Sequence, residues 1–363
     1  MLVLGLMSGT SMDGLDCCLS DINISANDNL EFEIIDSSTI QYDKKTKNNI
    51  FEYISNKNID LNNLDHFLGK IFLEISKEFL CDRKIELIAS HGQTVSHIDK
   101  KSSLQIGNPK YLSDYYNIPI IYNFRKHDIN AGGNGAPLVP YLDWMLFKNF
   151  NENIISINLG GISNFSFVKK RCKQSDVIGF DMGPGMCLID LYVKYNWNID
   201  FDDMGKFASQ GVVSNKLLKD LMMDSFINDK PPKSASIENY GMIFLKKYID
   251  KYDKINKYDF LRTLVNFTSE LIQKNLNTFL DKKEFQNSNI IISGGGAKNL
   301  TLVNELKKNN SNINSIDYKG ININNKESFL MCLLGFTFYN NIFNNMPSVT
   351  GAKKKVVCGE LYE

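Results

Sequence analysis

Met7-Ser-Gly-Thr-Ser-Met-Asp-Gly-Leu-Asp16 crowds hydroxyls, glycines and carboxylates into one short stretch. A phosphate chain needs close backbone approach, amide donors and hydroxyls, and glycine leaves the backbone bare enough to supply the first. Ser8, Thr10 and Ser11 bring the hydroxyls, and Asp13 or Asp16 can hold a metal through water. An ordinary hairpin turn competes with that reading. In Gly179-Phe-Asp-Met-Gly-Pro-Gly185 a carboxylate ends a strand beside a glycine-rich turn. Asp181 there suits a general base near a phosphate; a cap for the next helix is the alternative. Gly160-Gly161 offers a partner turn.

Three further segments are less specific. Gly294-Gly-Gly-Ala-Lys-Asn299 is neither a Walker A loop nor G-x-G-x-x-G. A base or ribose can lie against it, and a plain tight turn is the alternative. Ser90-His-Gly-Gln-Thr94 tempts a serine hydrolase reading. Neighbours in a chain rarely form a nucleophile–base pair, and there is no G-x-S-x-G elbow. A polar binding loop at a strand end fits better, with a satisfied turn histidine as the bland version. In Phe124-Arg-Lys-His-Asp128, Arg125 can fork onto a carboxylate or phosphate; a solvated charge run is the competitor.

The elements that must position these groups follow from periodicity. Leu2 to Leu6 and Leu15 to Leu19 pattern as strands around the first turn, a hairpin with a polar loop. Leu61, Leu64, Phe67, Leu68, Ile71, Phe72, Ile75 and Phe79 share one helical face. Ile85 to Ala89 is a short buried strand running into Ser90. After the helix-breaking stretch Asn130 to Pro137 the opening plan recurs: strand, Gly160-Gly161, strand. Phe260, Leu264, Phe267 and Leu271 mark another helix, and Asn289 to Ser293 a strand ending in the triple glycine. Lys326 to Ile342 is apolar nearly all round and belongs in a core. Two α/β halves with similar openings imply glycine turns from both halves around one interdomain cleft.

Composition limits the function classes. The 363 residues suit two domains and can bury a large core without staples. Forty-one basic residues balance forty-one acidic ones, which argues against nucleic acid as a partner. Seven scattered cysteines with no C-x-x-C spacing make a zinc or iron–sulfur site unexpected and fit a reducing cytoplasm. No segment reads as a signal peptide or membrane span, so a soluble cytoplasmic protein with no membrane partner is expected.

In this order the segments resemble one family, anhydro-N-acetylmuramic acid kinase. The pieces are GLMSGTSMDGLD (5–16), SHGQT (90–94), LQIG (104–107), FRKHDINAGGNGAPLVP (124–140), NLGGISNF (158–165), GFDMGPG (179–185), PPKS (231–234), SGGGAKN (293–299) and PSVTGA (347–352). The resemblance spans essentially the whole chain. It implies a two-domain, actin-like fold of duplicated ribonuclease-H-like halves, the acetate and sugar kinase architecture. The implied domains are residues 1–124 and 125–345, with a tail at 346–363.

The implied reaction opens the 1,6-anhydro ring of 1,6-anhydro-N-acetylmuramic acid with water and phosphorylates oxygen 6. ATP and Mg²⁺ serve it, and the product enters cell-wall recycling. Asp181 matches the family's base. Gly9, Thr10, Ser11, Met12, Asp13, Gly14, Leu15 and Asp16 would cradle the phosphates, with Gly160 and Gly161, while Gly294, Gly295 and Gly296 face the adenosine. Thr94, Arg125 and Glu327 fall on the sugar side, Arg125 suiting the lactyl carboxylate. A homodimer is also implied. The chain departs from the pattern at Met186, where Asn is usual, at Asn134, where Gln is usual, and at Ala235-Ser236-Ile237 in place of Thr-Gly-Arg. Another sugar kinase of the same fold, or a nucleotide-switched binding protein without catalysis, are the alternatives.

Overall fold

The computed structural model describes the chain except residues 10–13, 26–28, 57–59, 236–238 and 363, and at 54–56 and 309 it describes backbone alone. Thr10, Ser11, Met12, Asp13, Ser236 and Ile237 therefore lie outside the described residues. Contacts divide the chain into two units, Met1–Leu146 with Asp317–Glu363, and Phe147–Ile316.

The first unit opens with β1 (Leu2–Ser8), β2 (Gly14–Ile24) and β3 (Leu30–Gln41), an antiparallel meander. β1 is apolar on both faces, as a central strand requires: Val3, Leu4 and Leu6 are fully buried. β3 alternates along its length, with Glu31 and Glu33 exposed, and its charges blunt a sheet edge. The helix Leu61–Leu80 starts at an Asp60 cap, whose carboxylate accepts the Asn62 N–H at 3.0 Å. It buries Leu64, Leu68, Phe72, Ile75 and Phe79, the expected face. Then come β4 (Leu87–Ile98), β5 (Ser102–Ile106) and β6 (Ile120–Tyr122). β4 runs parallel to β1 and to β6, while β5 folds back on β4.

The second unit repeats the plan. β7 (Asn153–Leu159), β8 (Ile162–Val168) and β9 (Ile178–Pro184) form an antiparallel meander. β10 (Ser288–Ser293) lies parallel to β7, and β11 (Ile313–Ser315) parallel to β10. The order β3-β2-β1-β4-β6 of the first sheet is matched in order and direction by β9-β8-β7-β10-β11. Each unit is thus a ribonuclease-H-like sheet, and the duplication is the actin-like sugar kinase fold. The long helix Lys257–Phe279 covers β9: Leu271 packs on Gly183, and Asn275 Nδ2 donates to the Met182 carbonyl at 3.3 Å.

Returning to the first unit, the chain forms a small hairpin, β12 (Asp317–Tyr318) with β13 (Ile321–Asn322), and the helix Lys326–Tyr339. That helix is buried nearly all round. It lies on β1 so closely that a Cβ on Gly5 would sit 2.2 Å from the Ser328 carbonyl oxygen. Gly335 meets Ala89 of β4 in the same way, 2.5 Å between Cβ positions. The terminal strand β14 (Glu360–Tyr362) pairs antiparallel with β6.

These units differ from a cut at 124/125 and 345/346. Residues 125–146 and the helix Lys326–Tyr339 belong with the first sheet, because that sheet needs an apolar helix on its covered face. Among the described residues, no helix is long and apolar enough to cross a membrane.

A buried ion pair holds this returning helix. Lys326 Nζ lies 2.7 Å from Asp143 Oδ1, with the side chains 2% and 1% exposed. Removing one partner strands a charge away from water, a cost of about 3–5 kcal/mol. Asp143→Ala should lose that much in urea unfolding, while Asp143→Leu with Lys326→Met should come near neutral. A loss below about 1 kcal/mol for Asp143→Ala, the scale of exposed pairs, would contradict the buried pairing.

Candidate active site

In the first unit the site is built where β1 ends beside the middle of β4. Residues 90–94 are strand, not the loop at a strand end that the sequence suggested, because β4 runs on to pair with β5. Ser8 ends β1 in register with Gln93 of β4. Burial pushes the Tyr42 phenol pKa well up, so Tyr42 keeps its proton and donates to Ser8 Oγ at 2.8 Å. Ser8 in turn donates to Gln93 Oε1 at 2.6 Å. Gln93 Nε2 reaches on to the Gly9 carbonyl at 3.2 Å, so it pins the start of the glycine turn. At the far end of the turn, Gly14 packs on β3: a Cβ there would sit 2.4 Å from the Ile40 carbonyl oxygen. Leu15 is fully buried in the core, so only its backbone can serve a nucleotide. Asp16 is half-buried and accepts a hydrogen bond from Thr39 Oγ1.

The next residues of β4 lock an arginine. His91 Nδ1 donates to the Gly92 carbonyl at 2.8 Å, which leaves Nε2 as an acceptor for Arg125 Nη2 at 3.0 Å and Nε at 3.3 Å. Arg125 Nη1 donates to the Gly135 carbonyl at 2.8 Å. Burial and the Arg125 charge push the His91 pKa down to about 3, so the ring is neutral. Arg125 is therefore no solvated surface charge, and His91 is no hydrolase base.

Asp128, 1% exposed, gathers the surrounding loops. It accepts from Gly135 N–H at 2.9 Å, Thr350 Oγ1 at 2.8 Å and Asn345 Nδ2 at 2.9 Å. Thr94 accepts from Gln105 Nε2 at 3.2 Å. Glu327 stands half-buried in the first turn of its helix, whose cap position is Asn325.

The second unit places its glycine turns at the ends of β7 and β10, where Asn158 pairs with Ser293. Gly160 and Gly161 turn their carbonyls onto the next turn: Gly160 accepts Met186 N–H at 2.9 Å, and Gly161 accepts Gly185 N–H at 2.9 Å and Cys187 N–H at 3.1 Å. These bonds satisfy the start of the helix Cys187–Trp197. Its cap position is Met186, with no side-chain cap bond. Asp181 is consequently not a helix cap. It sits in β9, 5% exposed, and Oδ2 accepts from Ser234 Oγ at 3.1 Å and Ala235 N–H at 3.0 Å.

The three glycines after β10 differ. Gly294 has φ +81°, and a Cβ on Gly296 would lie 2.8 Å from Leu159 Cβ and 2.9 Å from Met186 Sδ. Gly295 is exposed, with nothing within 4 Å of its Cβ position. It is the one of the three that leaves room for a ligand. Among the described residues no group of three or more His, Cys, Asp or Glu side chains could hold a metal ion.

A family model described as anhydro-N-acetylmuramic acid kinase matches residues 1–363. The curated anhydro-N-acetylmuramic acid kinase of Clostridioides difficile (strain 630) is 36% identical over 378 residues, covering 99% of this chain and 98% of that protein. The enzymes of the same name from Caldanaerobacter subterraneus subsp. tengcongensis and Bacillus cereus (strain G9842) are each 35% identical over 99% of this chain, covering 96% and 99% of their own lengths. The chain belongs to the anhydro-N-acetylmuramic acid kinase family. It is accordingly an enzyme, a phosphotransferase.

Within the family pattern the structure adds residues that sequence reasoning passed over. Gln93, Asp128 and Ser234 all lie inside motifs that were legible, but they have partners far along the chain. At the departures, Met186 fills space against Gly296, and Asn134 is buried with its N–H on the Thr350 carbonyl at 2.8 Å.

Two outcomes follow from this packing. Gly296→Ala should destabilise by about 1–3 kcal/mol through overpacking, whereas Gly295→Ala should stay within about 0.5 kcal/mol; equal losses in thermal melts would contradict the asymmetry. For His91, an unfolded histidine takes its proton near pH 6.5, but the folded one resists down to about 3. Its contribution is thus fully present above pH 6.5 and is lost as pH falls toward 3, about 2 kcal/mol between pH 6.5 and 5. His91→Gln should flatten the stability-versus-pH curve in that window, and an unchanged slope would show that His91 titrates normally.

Proposed function

We propose that the chain combines 1,6-anhydro-N-acetylmuramic acid, water and ATP to give N-acetylmuramic acid 6-phosphate and ADP, in peptidoglycan recycling and amino-sugar metabolism. The observation that supports this most is the state of Asp181: a buried carboxylate in the middle of β9, not at the strand end the sequence suggested, oriented by two donors and not used as a helix cap. Asp181 takes a proton from the water that attacks the anomeric carbon. The bond from that carbon to oxygen 6 breaks, and oxygen 6 attacks the γ-phosphorus of ATP, releasing ADP.

The glycine turns are read as the nucleotide side. Gly9 and Gly14 to Asp16, together with the undescribed Thr10 to Asp13, take the phosphates with Gly160 and Gly161. Gly295 provides the open approach for adenosine, and Gly294 and Gly296 keep that backbone close to β7. Thr94, Arg125 and Glu327 are assigned to the sugar, with Arg125, oriented by neutral His91, toward the lactyl carboxylate.

Mg²⁺ bound with a nucleotide takes one or two carboxylates beside phosphates and waters. Asp16 fits that modest demand, so the ion would be held there and chiefly by the nucleotide itself. When bound it neutralises phosphate charge. Seven unbridged cysteines suit a reducing compartment, and a cytoplasmic homodimer belongs to the same proposal.

The test is product formation by the purified chain with ATP, Mg²⁺ and the anhydro sugar, read by mass spectrometry. The proposed route adds water as well as a phosphoryl group; a phosphoryl group alone would mean an ordinary hydroxyl kinase. Asp181→Asn keeps an oxygen to accept from Ser234 and Ala235 but cannot act as the base. Its kcat should fall by about 10²–10⁴ with the melting temperature nearly unchanged. Retained turnover would remove both the base and the coupled ring opening.

A further inference from the structure

The segment Lys233–Ala235 is bound to the Asp181 stretch from both sides. Asp181 N–H donates to the Lys233 carbonyl at 3.3 Å, and Ala235 N–H returns to Asp181 Oδ2 at 3.0 Å. Ser234 Oγ donates to the same oxygen at 3.1 Å. A carboxylate turns easily about its last torsion, and two donors on one oxygen hold that turn still.

The segment is itself anchored by a buried lysine. Lys233 Nζ donates to the Phe226 carbonyl at 3.1 Å. It lies 4.7 Å from the Phe226 ring centre, 5.4 Å from Phe180 and 5.5 Å from Phe279. Burying an amine among rings carries a desolvation cost that a loop with no positioning duty would avoid. Phe180 adjoins Asp181, so the lysine grips the residue next to the carboxylate.

We propose that Ser234, with the Ala235 main-chain N–H, is a positioning residue for Asp181, and that Lys233 is the anchor holding the pair in place. The inference rests on Asp181 as base. It also explains a departure from the family pattern. Only the main chain of residue 235 contacts the carboxylate, so Ala in place of Thr costs no bond.

The charged groups acting on this segment are Lys233 itself, Asp229 and Lys274, with Asp181. Asp224 lies at the start of the neighbouring Ser225–Asn228 turn, held by Tyr240. The helix Lys257–Phe279 turns uncharged Thr268, Leu271 and Asn275 toward the β9 end. Loss of the Ser234 donor therefore acts on Asp181 directly.

The experiment compares Ser234→Ala, Ser234→Thr and Asp181→Asn by kcat, both KM values and the pH profile of kcat. Ser234→Ala should lower kcat about three- to thirtyfold. Both KM values should stay within about twofold, since only the reacting group is disturbed. The acid limb should move up by about 0.5–1 pH unit, because a carboxylate that loses a donor holds its proton more tightly. Ser234→Thr should restore both. An unmoved acid limb, or no change in kcat, overturns the proposal. Should Ser234→Ala lose its melting transition, Ser234→Cys, close in size and a weak donor, carries the same comparison. Turnover in Asp181→Asn would sink the base itself, whereas an inactive Asp181→Asn beside a wild-type-like Ser234→Ala would sink only the positioning role.

Discussion

Ser8 and Gln93 meet because β1 and β4 run parallel, which sets the last residue of β1 level with the middle of β4. β1 hands its chain on through the glycine turn at that level, while β4 runs on as strand beside it. The first-unit part of the site is made from that turn and the stretch of β4 next to it. Tyr42, Ser8, Gln93 and Gly9 form one hydrogen-bonded row across β1 and β4, while the next residue pair, His91 and Arg125, fixes a guanidinium beside it. The second sheet sets Asn158 of β7 level with Ser293 of β10, and both strands run on into glycine turns.

Buried charge is spent sparingly and always in company. Lys326 meets Asp143, Asp128 takes donors from Gly135, Thr350 and Asn345, and Lys233 lies on carbonyls and rings. Each of these ties segments remote in sequence, which apolar contacts alone do less selectively because they are not directional. His91 follows the opposite rule. Beside Arg125 it stays neutral, and so works as an acceptor.

Family membership and geometry contribute different things. Membership names the phosphotransfer. Geometry separates roles within motifs that look uniform: of three consecutive glycines, Gly294 and Gly296 serve packing and Gly295 leaves open space. It also disposes of the cap reading of Asp181 by showing that glycine carbonyls complete that helix start.

The sequence by itself determined the strands flanking both glycine turns, the face of the helix Leu61–Leu80, the burial of Lys326–Tyr339 and the identity of the family, because periodicity and contiguous motifs are local properties. Which sheet that last helix covers was not local. An all-round apolar helix suits either sheet, and the choice fell to close approaches at Gly5 and Gly335. The partners of Asp181, 53 and 54 positions away, and the Thr350 partner of Asp128, 222 away, were likewise beyond any motif. A hydrogen bond needs donor and acceptor within a few tenths of an ångström, and only the folded chain brings residues so far apart to that distance.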